Sequence, residues 1–500
     1  MIKEIGFDSD KYLKHQKAKL KERTSRFEKL YLEFGGKLFT DNHATRVLPG
    51  YRPTSKIELL KQMGDIDLFY CVSAEDVVKG KTRGDSGLSY DLQTIKDIKD
   101  IRSKGIEVSG VVITLFKNQP TAIQLKRKME NLGYKVYIHK FIKGYPQDLK
   151  KVISGYKKQP YVKTDKNLVV ITGAGGGSGK MAFCLSQIYN DKSKGINSGY
   201  AKFETFPIWN LPTDHPVNVA YEAATADLKD INQIDPYHEK FYGVKASSYN
   251  RDIENFTILK SILVKITGEK NPYGYKSPTD MGVNTLSLGI TNKNLCKKAA
   301  KEEILRRYFL YLADKVEGKC EQDTMDRISE IMEKLNLKPE NRAVVKPARK
   351  ARDEAISSKK GFNGVFCGSA IELGENQIIT GKNSPILHAE SAAVLNCLKV
   401  LANIPDSVDL ISPGILSEIG KMKGSLIEHN SPSLSVDETL IALASCSLFN
   451  PTAKSALNKA IYLKGCEMHS THAITKGDAL GLRNLGINFT SDNKISSIDY

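Results

Sequence analysis

The stretch LVVITGAGGGSGKMA, residues 168–182, decides the fold of the first part of the chain. Its apolar start, residues 168–171, predicts a short buried strand, and the apolar residues after the glycines recur at helical spacing. A strand, a glycine-rich loop and a helix in this order direct unpaired amide groups and the positive end of the helix dipole at whatever lies above the loop. The stretch therefore predicts an anion site, with phosphate as the expected ligand.

The glycine-rich loop partly matches the P-loop of nucleotide-binding proteins. Gly179 and Lys180 match its Gly-Lys pair, but Ala174 occupies the first glycine position and Met181 occupies the position of the hydroxyl that binds magnesium. A magnesium ligand would therefore have to come from elsewhere. A dinucleotide-binding loop and a tight structural turn remain open as alternatives. The residues predicted to bind phosphate are Gly173, Gly175, Gly176, Gly177, Ser178, Gly179 and Lys180.

Length and composition limit the class of protein. The 500-residue chain is too long for one hydrophobic core, and no apolar run approaches the length of a membrane span. The charged first residues do not resemble a signal peptide, and eight scattered cysteines without a CxxC pair indicate reduced thiols, so we expect a cytoplasmic protein without a membrane partner. The net charge of +17 suits an anionic small molecule, the lack of a nucleic-acid-binding motif argues against nucleic acid, and a homo-oligomer is compatible with the sequence.

Extended apolar stretches alternate with helical ones in the first part of the chain. Strands are predicted at KLYLEF, DIDLFYCV, VSGVVITLF, YKVYIHKF and NLVVIT, with helices near 90–104 and 119–132. This alternation predicts a doubly wound, mostly parallel sheet covered by helices. We expect an α/β nucleotide- or phosphate-binding domain over 1–290, a helical insert over 291–360, and a smaller C-terminal α/β domain over 361–500.

Three loops that follow predicted strands are rich in polar residues, and ligands of such sheets bind at the carboxyl ends of the strands. These loops span residues 33–51, 81–91 and 200–228. Turn or capping chemistry explains each polar residue on its own, but together they favour a site. The candidate catalytic residues are Lys37, His43, Glu204, Asp214 and His215, and the further candidates are Arg251, Asp252, Thr279, Asp280 and Asn284.

The C-terminal segment contains a second candidate site. Two predicted strands joined around the turn GEN precede a helix that opens on His388-Ala389-Glu390, an arrangement that resembles the cytidine deaminases. In that family the histidine binds zinc, the glutamate two residues on moves a proton, and two cysteines complete the site. The resemblance implies a metal site formed by His388, Cys466 and His469. Because the family's cysteine pair is missing, deaminase-like topology without deaminase chemistry is the favoured expectation.

Several segments resemble one bacterial family of proteins of similar length. These segments are LYLEFGGKLF, HATRVLPGY, SGYAKFETFPIWNLP, HPVNVAYEAATADL, SPTDMGVN and LGINFTSD. The family is described as a domain of unknown function, and some members carry the label ATP-dependent peptidase. The resemblance implies no catalytic residue, and the sequence has no HExxH or GxSxG motif that would support a peptidase.

The glycine-rich loop and its context predict an enzyme that binds a nucleotide or a phosphorylated metabolite through residues 173–180. Phosphoryl transfer and ATP-dependent ligation are the expected reaction classes, with ATP or another nucleotide and magnesium as cofactors. A zinc-dependent deaminase or hydrolase in the C-terminal domain is one alternative, although zinc is the less favoured cofactor. A non-catalytic protein that binds a metabolite is the other alternative.

Overall fold

The computed structural model describes residues 5–36, 38–39, 41–81, 87–374, 377–426 and 431–495. The chain forms two compact units, and the division falls after residue 300. The first unit contains a seven-stranded sheet and a two-stranded ribbon, whereas the second contains a four-stranded sheet. The structure therefore confirms the mixed α/β class predicted for the chain.

Strands and helices alternate along the first unit. Its strands are β1 (Lys29–Phe34), β2 (Ile66–Ser73), β3 (Gly110–Phe116), β4 (Val136–Lys140), β5 (Leu168–Gly173), β6 (Ser198–Phe203), β7 (Asn232–Ile234), β8 (Ser247–Tyr249) and β9 (Gly282–Val283). Its helices are α1 (Ser9–Thr24), α2 (Asn42–Val47), α3 (Ser55–Met63), α4 (Ala74–Val78), α5 (Tyr90–Ser103), α6 (Pro120–Asn131), α7 (Leu149–Lys157), α8 (Lys180–Ser193), α9 (Pro216–Ala224), α10 (Pro236–Tyr242), α11 (Asn250–Thr267) and α12 (Pro278–Met281). Short 3₁₀ turns lie at Ala226–Leu228, Pro272–Gly274 and Leu286–Gly289.

The seven strands of the large sheet lie in the order β4-β3-β2-β5-β1-β6-β9, and every neighbouring pair is parallel. The register of the pair β1–β5 places Leu30 opposite Leu168 and Glu33 opposite Ile171. Continuous apolar runs are typical of strands that are buried on both faces. The five strands predicted from the sequence are β1 to β5, so the mostly parallel sheet is confirmed.

Strand β5 is buried, and its packing holds the start of the glycine-rich loop in position. Residues 168–171 are at most 3% exposed. On one face of the sheet, Ile171 packs in a cluster with Phe183 and Ile188 of α8 and Leu259 of α11. Each large apolar side chain that leaves water in this way contributes roughly 1.5–3 kcal/mol to stability.

The β2–β5 crevice is the position at the carboxyl edge of the sheet between the end of β2 (Ser73) and the end of β5 (Gly173). The chain leaves β2 toward β3 on one side, whereas it leaves β5 toward β6 on the other side. Ligands of doubly wound sheets bind where successive connections diverge in this way. A cavity of about 10 Å³, large enough for one water, adjoins the two strand ends and is lined in part by Tyr70 and Thr172.

The second unit has a smaller, mixed sheet. Its strands are β10 (Gly368–Leu373), β11 (Gln377–Lys382), β12 (Glu467–His472) and β13 (Asn488–Lys494). Its helices are α13 (Lys293–Val316), which begins before the division, α14 (Gln322–Lys334), α15 (Val345–Ser357), α16 (Ala389–Leu401), α17 (Pro413–Leu426), α18 (Val436–Cys446), α19 (Pro451–Leu457) and α20 (Lys476–Leu485), with 3₁₀ turns at Pro339–Asn341 and Ala460–Leu463. In the parts of both units that the structure describes, no helix has the length and apolar character needed to cross a membrane.

The four strands lie in the order β11-β10-β12-β13, in which β10 is antiparallel to both neighbours and β12 is parallel to β13. Helices α15 and α16 pack on opposite faces of this sheet, and two glycines allow their close approach. A Cβ atom on Gly368 would lie 2.4 Å from the carbonyl oxygen of Ala348 in α15, and one on Gly381 would lie 2.2 Å from the amide nitrogen of Ala393 in α16. Helix α15, within the predicted helical insert, is therefore a layer of the second unit.

A buried arginine joins several elements of the second unit. Arg342 is fully buried, and its guanidinium donates to the carboxylates of Glu302 and Glu467, to the Thr490 hydroxyl and to two main-chain carbonyls. Burial alone would raise the pKa of Glu467, but the charges of Arg306 and Arg342 outweigh burial and lower that pKa to about 2. Arg342 and Glu467 are therefore both charged and form an ion pair inside the second unit.

Candidate functional site

The glycine-rich loop connects the end of β5 with the first turn of α8. Strand β5 ends at Gly173 and the 14-residue helix begins at Lys180. Gly179 caps the helix with a φ of 76°, a left-handed conformation that favours glycine. The first amide groups of a helix have no partner within the helix, so this end of α8 can donate hydrogen bonds to an anion.

Close packing surrounds three of the five glycines in the loop. A Cβ atom on Gly173 would lie 2.4 Å from a carbonyl oxygen of β2. One on Gly175 would lie 2.5 Å from the Tyr90 hydroxyl, and one on Gly179 would lie 2.7 Å from the Cβ of Thr114. Gly173 and Gly179 therefore need glycine whether or not a ligand binds, whereas at Gly175 the obstructing atom is the end of the Tyr90 side chain.

The remaining part of the loop is open. Gly176 and Gly177 are exposed, and a Cβ atom on either would meet no atom within 4 Å. The Lys180 ammonium donates to the Gly175 carbonyl oxygen (3.1 Å) and to the Ser178 hydroxyl (3.2 Å). Ser178 itself is buried, and its carbonyl accepts a hydrogen bond from the Thr114 hydroxyl. The open surface of the loop therefore consists of two glycines beside one lysine.

An ion cluster lies at the carboxyl end of β6. The Lys202 ammonium is 2.7 Å from a carboxylate oxygen of Glu204 and 2.7 Å from one of Asp252. Burial alone would lower the pKa of Lys202, but the two carboxylates raise it. Burial raises the pKa of Glu204 to about 7, and the nearby charge of Asp252 adds to the effect of burial. Two acids share one cation here, so Glu204 can hold or release a proton near neutral pH.

Glu33 lies between the loop and this cluster. At the end of β1, its carboxylate accepts a hydrogen bond from the Tyr200 hydroxyl (2.6 Å). Burial raises the pKa of the Cys71 thiol to about 12, with the charge of Lys180 opposing that rise and the charge of Glu33 adding to it. Glu33 also raises the pKa of Lys202. Glu33 is therefore within electrostatic range of Lys202, and Glu33 and Lys180 both act on Cys71.

We expect Lys202→Met to lower the free energy of unfolding by about 1–3 kcal/mol near pH 8, a value between those of exposed and fully buried ion pairs because the side chain keeps partial contact with water. Without the cation, burial and the charge of Asp252 hold the folded-state pKa of Glu204 above the unfolded value, so the loss grows as pH rises and shrinks near pH 5. Urea unfolding followed by Trp209 fluorescence would measure it. The matched control, Lys126→Met on the exposed face of α6, should change stability by at most about 0.5 kcal/mol at either pH. A Lys202 effect that is equal at both pH values would contradict this account.

His43 is packed among aromatic rings. It lies in the short helix α2, where its imidazole meets the rings of Phe206 and Tyr221 edge-on at centroid distances of 5.0 and 5.1 Å. The preceding residue but one, Asp41, caps α2 and pairs with the buried Lys56 at 2.7 Å. Burial alone would raise the pKa of Asp41, but Lys56 outweighs burial and lowers it. Asp41 and Lys56 therefore form an ion pair next to His43.

The other predicted catalytic residues lie in different surroundings. Lys37 is outside the described residues. Asp214 is exposed, and His215 caps α9 by accepting a hydrogen bond from a main-chain amide of its first turn. Burial and the neighbouring charges of Lys297 and Lys293 lower the pKa of His215. Of the five candidates, Glu204 is therefore the one that the structure brings into the ion cluster with Lys202.

In the second unit, the structure brings together His388, Glu390 and Asp478. All three are buried, and one potential ligand atom from each lies within 4.8 Å of the other two. The His388 Nδ1 is 2.7 Å from a carboxylate oxygen of Asp478. Burial alone would lower the pKa of His388, but Asp478 outweighs burial and raises it. Burial and the charge of Asp478 raise the pKa of Glu390 to about 7.

The structure does not bring Cys466 and His469 to His388. Successive side chains of β12 point to opposite faces of the sheet, and Ser470 faces α16, where it donates to Glu390. The neighbouring His469 therefore points to the α15 face, where its ring nitrogens lie 2.9 Å from the Thr490 hydroxyl and 3.2 Å from an Asp492 carboxylate oxygen. Cys466 precedes β12 and lies near Cys397 of α16. Cys397 is nine residues after His388, which corresponds to about 13 Å along the axis of the helix. The cluster that forms around His388 uses Asp478 instead.

Sequence reasoning did not single out Glu33, Lys202 or Asp478. Glu33 and Lys202 are charged residues near the carboxyl ends of apolar strands. Because ligands of such sheets bind at that edge, this position could have marked both residues as candidates. Asp478 is the third residue of α20, after the cap residue Thr475, so its sequence context is that of an ordinary helix start. Its separation from His388 by 90 residues gives no signal in the sequence.

Comparison with known proteins identifies the family. A family model described as "Domain of unknown function DUF1846, N-terminal" matches residues 5–336, and its C-terminal counterpart matches residues 340–499. A "UPF0371 protein" of Clostridium tetani is 45% identical over 496 residues, which cover 99% of this chain and 98% of that protein. A "UPF0371 protein" of Clostridium botulinum is 44% identical over 491 residues, which cover 98% of this chain and 97% of that protein. The chain therefore belongs to the DUF1846 family.

Proposed function

We propose that the first unit binds a nucleotide or a phosphorylated metabolite at the β2–β5 crevice, with a phosphate group on residues 173–180. The observation that carries this proposal is the open surface of the loop. Gly176 and Gly177 are exposed beside the Lys180 ammonium and the start of α8. Neither has a packing reason for glycine, although the φ of 74° at Gly177 favours this residue. Main-chain amides and one lysine are the donors that phosphate oxygens require.

Binding would exchange internal hydrogen bonds of the loop for bonds to the ligand. Lys180 now donates to the Gly175 carbonyl and the Ser178 hydroxyl. A phosphate oxygen is a stronger acceptor than either, because both partners of the bond are then charged. We therefore expect the ammonium to turn toward the ligand and to offset its negative charge. The lysine would act in binding and, for a transferred phosphoryl group, in stabilising the transition state.

The ion cluster would serve the acceptor of the phosphoryl group. Phosphoryl transfer and ATP-dependent ligation both need a nearby group that takes a proton from the attacking atom. Glu204, with a pKa of about 7, has the proton affinity for that role, and Lys202 holds it in place. Magnesium prefers oxygen ligands, and Met181 cannot supply one, so the carboxylates at this edge, including Glu33, are the donors that would hold it.

A thermal-shift screen tests the proposal. Wild type, Lys180→Ala and Lys192→Ala would be heated with ATP, GTP, NAD, NADP, phosphorylated sugars and inorganic phosphate, each with and without magnesium. A ligand present at 100 times its dissociation constant stabilises the folded state by about 2.7 kcal/mol, which gives a visible shift. We expect one phosphorylated ligand to stabilise wild type, and to bind Lys180→Ala at least about tenfold more weakly because a charged hydrogen bond is lost.

Lys192→Ala is the matched control, because Lys192 is exposed in the last turn of the same helix. It should bind the ligand as wild type does. Equal shifts for wild type and Lys180→Ala would contradict a phosphate site on the loop. A ligand that binds without turnover would point instead to a non-catalytic metabolite-binding protein.

A second candidate function concerns the C-terminal unit, which we propose to have a deaminase-like topology. The order β11-β10-β12-β13, the reversed direction of β10, and a helix that begins after His388 support the resemblance. Asp478 stands in the first turn of the helix after β12, the position of the cysteine ligands in deaminases. A zinc-dependent hydrolase would have to work with this changed set of ligands. Measuring ammonia release from a panel of nucleosides and nucleobases would test deamination directly.

A further inference from the structure

We propose that His388, Glu390 and Asp478 bind a divalent transition-metal ion. One imidazole and two carboxylates form a donor set that suits zinc, manganese or iron(II). Their ligand atoms lie within 4.8 Å of one another, whereas atoms on a shared ion at bonds of 2.0–2.2 Å are about 3.5 Å apart. Small side-chain rotations would close that difference.

The orphaned oxygen of Glu390 is an independent observation in favour of a bound ion. This side chain is fully buried, and one of its carboxylate oxygens accepts a hydrogen bond from the Ser470 hydroxyl. The other oxygen, Oε2, has no hydrogen-bond partner among the described residues. A buried carboxylate oxygen without a partner costs free energy, and a metal ion would supply the missing partner.

The surroundings hold the two other ligands in place. The Asp478 carboxylate accepts hydrogen bonds from the Thr475 hydroxyl (2.6 Å) and from the Val436 main-chain amide (2.9 Å) in addition to its contact with His388. Asp478 stands in the first turn of α20, where the helix dipole favours a negatively charged side chain. Hydrogen-bonded ligands of this kind lose little freedom when an ion binds.

A shared proton is the competing explanation of the cluster. In that arrangement Glu390 stays protonated and His388 pairs with Asp478, so the charges balance without an ion. The two explanations differ in what the folded protein does with added metal. The inference does not depend on the glycine-rich loop, which lies in the other unit.

The test uses the full-length chain, stripped with a chelator and checked for folding by circular dichroism. Zinc binding would be measured by calorimetry, and cobalt(II) would be added as a spectroscopic probe whose visible absorption reports its ligands. We expect one equivalent of zinc to bind wild type, and the dissociation constant to rise at least about 100-fold in Glu390→Gln, which keeps the shape of the side chain but not its charge. Asp478→Asn should have a similar effect.

Glu418→Gln is the matched control. Glu418 is an exposed carboxylate of α17 in the same unit that pairs with Lys421, and its substitution should leave zinc affinity unchanged. If folded wild type shows no saturable zinc binding, the shared-proton explanation is correct and the proposal is overturned. Equal zinc affinity and equal cobalt spectra for wild type and Glu390→Gln would overturn it as well, because the ion would then bind elsewhere.

Discussion

Replacing Arg342 by methionine is expected to lower the stability of the C-terminal unit by about 3–5 kcal/mol, the range found when one partner of a buried ion pair is removed. The guanidinium is fully buried and bonds to Glu302, Glu467, Thr490 and two carbonyl groups. Methionine fills part of its volume but leaves these acceptors without their donor. The cost therefore comes from unpaired polar groups rather than from an empty cavity.

Urea unfolding followed by two signals would measure this effect. Circular dichroism reports both units, whereas the single tryptophan, Trp209, lies in the first unit and reports that unit. We expect Arg342→Met to move the part of the circular dichroism transition that the Trp209 signal does not follow. Arg327→Met on α14, where Arg327 pairs with the largely exposed Glu330, is the control and should cost at most about 1 kcal/mol. Equal effects of the two substitutions would contradict the role given to burial.

The ion pair of Arg342 and Glu467 also makes the C-terminal unit sensitive to acid. The folded-state pKa of Glu467 is about 2, below its ordinary value of 4.5, so the unfolded chain binds more protons between these values. The stability that comes from this shift is complete above about pH 4.5 and is lost as pH falls toward 2. The difference in stability between wild type and Arg342→Met should therefore shrink across this interval.

Gly179→Ala is expected to destabilise the first unit by about 2–5 kcal/mol. A left-handed conformation costs an alanine about 1–2 kcal/mol, and a Cβ atom forced into packed surroundings costs about 1–3 kcal/mol more. Both apply here, because the φ of Gly179 is 76° and the added atom would lie 2.7 Å from the buried Thr114. Urea unfolding followed by Trp209 fluorescence would give the value.

Gly176→Ala in the same loop is the control for this substitution. Its Cβ atom meets nothing within 4 Å, so stability should change by no more than about 0.5 kcal/mol. If Gly176→Ala destabilised the unit as much as Gly179→Ala, the packing account of the loop would be wrong. The two variants therefore separate the glycines that the fold requires from those left open to a ligand.

Local patterns in the sequence were enough to predict the first five strands and their parallel sheet. An apolar run such as residues 168–171 has the same signature in sequence and in structure, because a strand covered on both faces must be apolar along its whole length. The order of strands was not predicted. Pairing β5 between β1 and β2 depends on contacts between residues more than 100 positions apart, which no local pattern records.

The candidate sites were predicted less completely than the fold. The loop at 173–180 and the start of α16 at His388 are candidates in the sequence because each combines a strand, a turn and a helix start within a short segment. Partners that arrive from elsewhere were missed. Lys202 reaches Asp252 across 50 residues, and Asp478 reaches His388 across 90. Such pairs are created by the tertiary fold.

The strand order has a consequence for a chain that is still being made. Strand β1 (Lys29–Phe34) is an early product of synthesis, yet both of its neighbours in the sheet, β5 and β6, come from residues 168–203. At roughly 5–20 residues per second, the ribosome needs on the order of ten seconds to supply them. During that interval an apolar strand has two open edges, which invite pairing with other chains. Correct assembly in the cell therefore depends on what shields Lys29–Phe34 before its neighbours emerge.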